Sequence, residues 1–263
     1  MKLRTMLLAS AAVMFAAGTA SAADLTGAFY LPGEGKFASD TKLEANRTEY
    51  KHTNYKEDSM YLSEEVTYGV TNDFAVFGRI GNEFDTEGEY NNDHNFDYEV
   101  GAAYNMRSGD VLMQVRGSYE TYNPEDRFGK RLGERWQKYL NGEIRLGYDM
   151  GNGLTPYMTY GFEGQIDKAD REFSQSAFVG VHKYAGDWAL DGGVRYDFNT
   201  DGKNANAIYA QVAFDYYPVE NVAVGVYGDY YLSGNYADSY EDADGVHDTD
   251  KDYTTGVRVK VEF

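Results

Sequence analysis

The sequence predicts an all-β chain that folds into a closed antiparallel transmembrane β-barrel, most consistently with twelve strands. The first observation behind this prediction is a recurring alternation of apolar and polar residues. Residues 253–263 show it clearly, and in a strand such alternation gives one apolar face and one polar face. The second is composition, because 25 Tyr and 29 Gly but only 4 Pro favour strands over helices. Tyr rings also suit the interface between a membrane and water.

Residues 1–22 predict a secretory signal peptide that is cleaved from the mature chain. Lys2 and Arg4 give a positive start, residues 6–17 form an apolar run, and residues 20–22 offer small side chains at a cleavage site. The apolar run is shorter than the ~20 residues that a membrane-spanning helix needs.

The remaining chain divides into two parts. Residues 23–40 show no clean alternation, and we expect them to form a periplasmic lead-in or a partial plug. Residues 41–263 are predicted to form the barrel. Its first strand, near residues 41–52, has two polar faces. On the second strand Glu64 interrupts the apolar outer series, which calls for a bulge or a local partner.

The connections between the predicted strands alternate in length. Those after strands two, four, six, eight and ten are short, whereas those after strands three, five, nine and eleven are longer and polar. Short periplasmic turns and longer external loops are the pattern of outer-membrane barrels, so both termini are predicted to be periplasmic. The chain has no cysteine, and its formal net charge of −19 argues against a nucleic-acid partner.

Together, the signal peptide, the alternating strands and the terminal Phe263 resemble the bacterial outer-membrane β-barrel proteins of the porin-like or surface-antigen-like kind. The resemblance implies a place in the cell outer membrane, with contacts to its lipid and lipopolysaccharide. It also implies that the barrel insertion machinery recognises Phe263. Twelve strands are similar to the small monomeric acidic-sugar channels, which are expected to line their pore with basic residues. The acid-rich interior departs from that pattern, so their substrate is not carried over.

The charged residues opposite the lipid-facing series are predicted to line an aqueous lumen. About eight strands leave room only for side chains and about sixteen leave an open channel, so twelve are intermediate. Charges inside imply water or ion pairs, because an unpaired charge in a dry core is costly. The predicted pore-lining residues are Arg79, Asp97, Glu99, Arg116, Glu120, Glu143, Arg145, Glu163, Asp191, Arg195, Asp215, Asp229, Arg258 and Lys260.

The sequence favours a narrow porin-like channel for small hydrophilic solutes, with a preference for cations or neutral molecules because carboxylates are in excess. The alternative is a closed lumen held by cross-strand ion pairs, in which the external loops bind a partner. A third, less favoured reading is an outer-membrane hydrolase. Each of these functions would use the same barrel.

The hydrolase reading would rest on two Asp/His pairs in predicted external loops, Asp93-His94 and His247-Asp248. These loops are rich in Asp, so a neighbouring His is expected by chance, and we expect no enzyme activity. Residues 240–251 fail the calcium-loop pattern because Tyr stands at the first ligand position and Lys at the last. The sequence therefore predicts no metal ion and no cofactor.

Overall fold

A computed structural model describes residues 24–50, 56–85, 94–123, 136–167, 173–199, 206–235, 240–242, 245–247 and 249–263. These residues form a closed barrel of twelve antiparallel strands, so the predicted fold class is confirmed. The strands are β1 Phe37–Tyr50, β2 Lys56–Gly69, β3 Phe74–Asp85, β4 His94–Ser108, β5 Val111–Asn123, β6 Gln137–Tyr148, β7 Leu154–Gln165, β8 Phe173–Tyr184, β9 Trp188–Asn199, β10 Asn206–Val219, β11 Val222–Asn235, β12 Tyr240–Asp242, β13 Gly245–His247 and β14 Thr249–Glu262. The predicted signal peptide lies outside the described residues. Across the described ranges no helix has the length and apolar character needed to span a membrane.

Each barrel strand pairs with its sequence neighbour, and β14 pairs with both β11 and β1 to close the ring. The small strands β12 and β13 pair only with each other, in the connection before β14. The short turns lie at one end of the barrel, between β2 and β3, β4 and β5, β6 and β7, β8 and β9, and β10 and β11. The start of β1 and the end of β14 lie at that same end, which is the periplasmic end in outer-membrane barrels.

The first strand begins at Phe37, earlier than the predicted residue 41, so residues 37–40 belong to the barrel and not to the lead-in. Its position is fixed from both sides, because Ser39 pairs with Val66 of β2 and with Val261 of β14. Backbone hydrogen bonds to both neighbouring strands therefore fix the position of β1, although its own residues lack apolar alternation.

The outer face of the barrel is apolar. Val100 is 60% exposed, Val179 63% and Val226 56%, although each lies within a strand. In β14, Val257 faces outward with 49% exposure whereas the neighbouring Arg258 points inward and pairs with an acid. The predicted inward and outward series of the final strand are thus those of the structure, and the apolar face is the one that lipid would cover.

Aromatic residues gather near the two ends of the barrel. At the short-turn end the ring of Phe37 stacks on Phe263 with centroids 5.9 Å apart and lies 4.7 Å from Tyr68. Near the long-loop end Tyr98 lies 5.5 Å from Trp136. Such rings are typical of the two interfaces of a membrane, where an amphipathic ring meets both water and hydrocarbon.

Glu64 faces outward, as the sequence indicated, and it has local partners. Its carboxylate accepts a hydrogen bond from the Ser39 hydroxyl over 2.5 Å and another from the Thr41 hydroxyl. Both donors come from the outward series of β1, where Thr41 stands opposite Glu64 in the register and Ser39 stands opposite Val66. The polar outer face of β1 and the interruption in β2 are therefore one feature.

Candidate channel lumen

The interior of the barrel holds a polar cavity of about 1250 Å³. Its lining extends from Leu25, at the short-turn end, to Asn206, at the first residue of β10 and the long-loop end. The predicted interior residues that contact this cavity are Arg79, Glu99, Arg116, Glu143, Arg145, Glu163, Asp191, Arg195, Arg258 and Lys260. The predicted residues that lie behind these, as partners of the arginines, are Asp97, Glu120, Asp215 and Asp229.

One acidic cluster surrounds Arg79 on β3. Its guanidinium lies 3.2 Å from Glu99, 3.1 Å from Glu120 and 3.4 Å from Asp97. The Tyr61 hydroxyl donates to Asp97 over 2.9 Å. Three carboxylates thus face one guanidinium, and hydroxyl and amide donors are needed to satisfy the surplus acceptors.

A second cluster joins β14 to β10. Arg258 donates to both carboxylate oxygens of Asp215, over 2.8 and 2.6 Å, and Asp215 is only 1% exposed. A Cβ on the adjacent Gly225 would lie 2.0 Å from that carboxylate, so a glycine is required for the close approach. The paired geometry is the strong, bidentate form of an arginine–carboxylate contact.

Two further arginines combine an acid with an aromatic ring. Arg195 of β9 lies 2.9 Å from Asp229 and its guanidinium carbon is 4.5 Å from the centre of the Tyr209 ring. Arg116 of β5 lies 2.6 Å from Glu65 and 3.6 Å from the centre of the Phe77 ring. Ring and acid together hold each guanidinium at the barrel wall.

The wall formed by β7 and β8 contains few charges. Inward positions here combine the small residues Thr159, Gly161 and Ser176 with the rings of Tyr157 and Phe178, whose centroids lie 5.2 Å apart. The Phe178 ring fills the space beside Gly180. This part of the wall is therefore mostly uncharged, with Glu163 as its acid at the cavity.

Residues 24–36 run across the short-turn end inside the barrel. On one side Asp24 lies 2.7 Å from Nε2 of His182, whose Nδ1 lies 3.2 Å from Asp191. The Tyr217 hydroxyl also contacts Asp24, over 3.2 Å. Because a ring that donates from both nitrogens is an imidazolium, this arrangement suits a protonated His182 between two carboxylates.

The same segment is also held on the opposite side of the mouth. The Phe29 carbonyl accepts a hydrogen bond from Asn105 over 2.7 Å, and the Ala28 carbonyl accepts one from Arg145 over 2.5 Å. The Phe29 ring fills the space that a Cβ on Gly147 would occupy. Residues 24–36 therefore bridge β8–β10 to β4–β6 and narrow the opening between them.

The segment returns to the wall through Tyr30, whose hydroxyl donates to Glu262 over 2.9 Å. Burial, and then the negative charge of Glu262, raise the pKa of the Tyr30 hydroxyl well above its ordinary value. Tyr30 thus stays protonated and remains a donor. Lys36 pairs with the same carboxylate over 2.7 Å.

Sequence reasoning did not single out Asp24 or the inward residues of β1. Asp40, which lies 3.4 Å from Lys260, and Glu44, which accepts a hydrogen bond from Tyr227 over 2.6 Å, belong to the lumen. Counting alternate residues back from Glu44 would have found Asp40, because both lie on the inward series of β1. The contacts of Asp24 carry no local sequence signal.

The side chains of the two Asp/His pairs considered for hydrolysis, Asp93-His94 and His247-Asp248, lie outside the residues whose side chains are described. In the described part of the chain no group of His, Cys, Asp and Glu side chains is arranged to hold a metal ion.

No protein-family model matches the sequence, and no curated protein matches it. Solved structures do match. The COG4313 outer membrane channel from Pseudomonas putida F1 gives a TM-score of 0.62 at 11% identity, over 90% of this chain and 98% of that chain. The NanC porin gives a TM-score of 0.54 at 12% identity, over 84% of this chain and 98% of that chain. The KdgM porin in complex with disordered oligogalacturonate gives a TM-score of 0.52 at 11% identity, over 86% of this chain and 99% of that chain.

At these identities the similarity shows the fold. The closed twelve-stranded ring, its apolar outer face and the alternation of short turns with longer connections are the fold of outer-membrane β-barrels. In barrels of this fold, lipid covers the apolar outer face.

Proposed function

We propose that this protein is a narrow channel for small hydrophilic solutes, with a preference for cations or neutral molecules. The observation that carries the proposal is the polar cavity of about 1250 Å³, whose lining extends along the inside of the barrel. Water and small solutes would pass through this cavity. The proposal assigns no enzyme activity to the chain.

The preference for cations follows from the excess of carboxylates among the interior clusters. Arg79 faces three acids, and Arg195 faces both Asp197 and Asp229. A lumen with low-dielectric walls focuses the field of such charges and raises the local concentration of cations. The KdgM porin is seen with oligogalacturonate, a polyanion, and the acid-rich interior of this chain is unsuited to a ligand of that charge.

Residues 24–36 would act as the partial plug that sets the width of the channel at its periplasmic end. Their contacts with His182, Arg145 and Glu262 reach three different parts of the wall. The constriction is therefore built by the chain itself and is held by polar contacts, which water can replace when the segment moves.

Recordings from the purified protein in a planar bilayer test the proposal. We expect a small conductance whose reversal potential in a salt gradient indicates a preference for cations, and high salt should reduce the preference because it screens the interior charge. Glu163→Gln, in the lumen, should weaken the preference. Asp73→Asn, in an exposed turn, is the matched control and should leave it unchanged.

Deletion of residues 24–36 separates the roles of the wall and the plug. Removal should raise the conductance while the ion preference persists, because the charged clusters of the wall remain. A preference for anions would overturn the electrostatic argument. An absence of conductance in both the full chain and the deletion variant would favour the alternative, a closed barrel whose external loops bind a partner.

We also propose that Phe263 is the residue by which the insertion machinery recognises the chain. Phe263 is 40% exposed, and its backbone exchanges two hydrogen bonds with Phe37, over 2.8 and 2.9 Å. Phe263→Ala should slow assembly in cells, while refolding of the purified variant in detergent should change less. Equal effects in both settings would contradict a role in recognition.

A further inference from the structure

One row of polar side chains crosses four neighbouring strands on the inner face of the barrel. Ser118 of β5 stands opposite Asn141 of β6 in the register. Asn141 stands in turn opposite Glu163 of β7, which stands opposite Ser174 of β8. Residues directly opposite one another point to the same face, with their Cβ atoms about 5 Å apart. All four line the cavity, so the row is a continuous part of its wall.

The neighbouring row extends this polar surface on β8 and β9. Ser176 follows Ser174 on the inward series and stands opposite Asp197 of β9, and both line the cavity. On its other side Ser176 stands opposite Gly161, where a Cβ would lie only 2.9 Å from the Ser176 hydroxyl. A glycine therefore keeps this hydroxyl uncrowded. We call the following residues of the two rows the polar track: Ser118, Asn141, Glu163, Ser174, Ser176 and Asp197.

The three serines of the polar track are open to the lumen. Each is partly exposed, and within the described part of the chain their hydroxyls have no hydrogen-bond partner. The guanidinium groups of Arg79 and Arg258, on other parts of the wall, are by contrast paired with acids. A serine hydroxyl donates one hydrogen bond and accepts two. Water fills these positions until a solute with matching groups replaces it.

The composition of the polar track fits a neutral polyhydroxylated solute. The carboxylates of Glu163 and Asp197 only accept hydrogen bonds, and the two oxygens of a carboxylate can accept from two adjacent hydroxyls. The serine hydroxyls also donate. A simple cation offers donors alone and would leave the serine hydrogens without acceptors, whereas a sugar offers both kinds of group. An acidic sugar would meet two carboxylates and no cation among the track residues.

We propose that the polar track is a binding site for neutral oligosaccharides on their way through the lumen. The inference rests on the proposed channel function and names the class of solute within it. Barrel strands tilt by roughly 35–45° from the barrel axis, so a row that runs from strand to strand also slopes along that axis. Because neighbouring strands lie about 4.8 Å apart, a sugar chain meets evenly spaced partners as it moves from β5 to β8.

Planar-bilayer recordings with maltotriose or cellotriose on the long-loop side test the proposal. We expect at least one of these neutral sugars to interrupt the ion current, and the interruptions should persist at high salt, because a neutral ligand is not screened. Trigalacturonate should interrupt the current less often, since the track carboxylates repel it. An open channel that neither neutral sugar interrupts, or that trigalacturonate interrupts more often, would overturn the sugar site alone. An absence of ion current would overturn the channel function as well.

Ser174→Ala combined with Ser176→Ala removes two track hydroxyls without a change of charge. The sugar concentration that gives half-maximal block should rise about tenfold, as for loss of one or two hydrogen bonds. Ser63→Ala is the matched control, because Ser63 is only 4% exposed and lies on β2, on the opposite side of the ring from β8. Anomalous gel migration of the unboiled samples verifies folding. An unchanged half-blocking concentration in the folded double variant, or an equal rise in the control, would contradict the assignment.

Discussion

Arg258 on β14 and Asp215 on β10 form a bidentate pair across the intervening strand β11, inside the barrel wall. The two hydrogen bonds measure 2.8 and 2.6 Å, and Gly225 on β11 leaves the space through which the pair meets. Three strands are thus tied together by one contact.

Asp215→Ala should therefore destabilise the barrel by about 3–5 kcal/mol, because it leaves the Arg258 guanidinium buried and unpaired. Urea unfolding in detergent, followed by circular dichroism, measures the loss. Arg107→Ala breaks the exposed pair with Asp149 at the rim and should cost only ~0–1 kcal/mol. Similar losses in the two variants would contradict the assignment of Asp215 to the wall interior.

Val257→Arg should destabilise the barrel by about 2–4 kcal/mol, because it places a charge near the middle of the lipid face. Val257 is 49% exposed and pairs with Leu43 and Val226 on the neighbouring strands. Folding from urea into lipid vesicles gives the free energy. Val257→Leu is the apolar control, and a tolerated arginine would mean that this face does not contact hydrocarbon.

Gly147→Val should dislodge Phe29 and widen the periplasmic mouth. A Cβ at Gly147 would lie 2.5 Å from the Phe29 ring, so ring and side chain cannot share the site. Planar-bilayer conductance should increase relative to the unmodified chain. Gly117→Ala is the control for adding a Cβ to a barrel glycine, because the nearest atom to that Cβ would be 3.9 Å away. It should leave the conductance unchanged. A lower conductance in Gly147→Val would show that Phe29 does not narrow the mouth.

His182→Gln should loosen the first residues of the plug, because a neutral amide replaces the contacts of the ring with Asp24 and Asp191. The loosening is measured in a chain that also carries Ala28→Cys, as the rate at which a water-soluble maleimide labels that cysteine. The sequence has no cysteine of its own, so no other thiol reacts. We expect labelling about tenfold faster, as for loss of one charge-assisted hydrogen bond. Lys183→Gln, at an outward position, provides the control. An unchanged labelling rate would mean that His182 does not keep residues 24–36 in place.

The alternation of the later strands was readable from the sequence because one face meets lipid and the other meets water. Val257 and Arg258 illustrate this directly, as neighbours with opposite environments. Strand β1 has a weaker signal, because its outward Ser39 and Thr41 are polar and donate to Glu64 across the strand pair. Hydrogen bonds between side chains of two different strands cannot be predicted from the periodicity of each strand by itself.

The placement of residues 24–36 could not be predicted for a different reason. Asp24 meets His182 and Tyr217, and Lys36 meets Glu262, so each contact joins residues far apart in the chain. Composition and periodicity describe neighbours in sequence, and they contain nothing about which distant strand a side chain will reach. The inward direction of a side chain follows from alternation, whereas the pairings between interior residues had to be observed.

The reciprocal backbone bonds between Phe37 and Phe263 join the first strand of the barrel to its last. Strand β1 precedes every other barrel strand in the chain, and β14 follows them all. Until β14 arrives, β1 has an open edge whose backbone groups lack partners, and hydrocarbon does not tolerate such an edge. Joining the two is the contact of longest sequence separation and hence the slowest to find. A nascent barrel must therefore wait, with its edge shielded by a helper or by water, until the final residues are delivered.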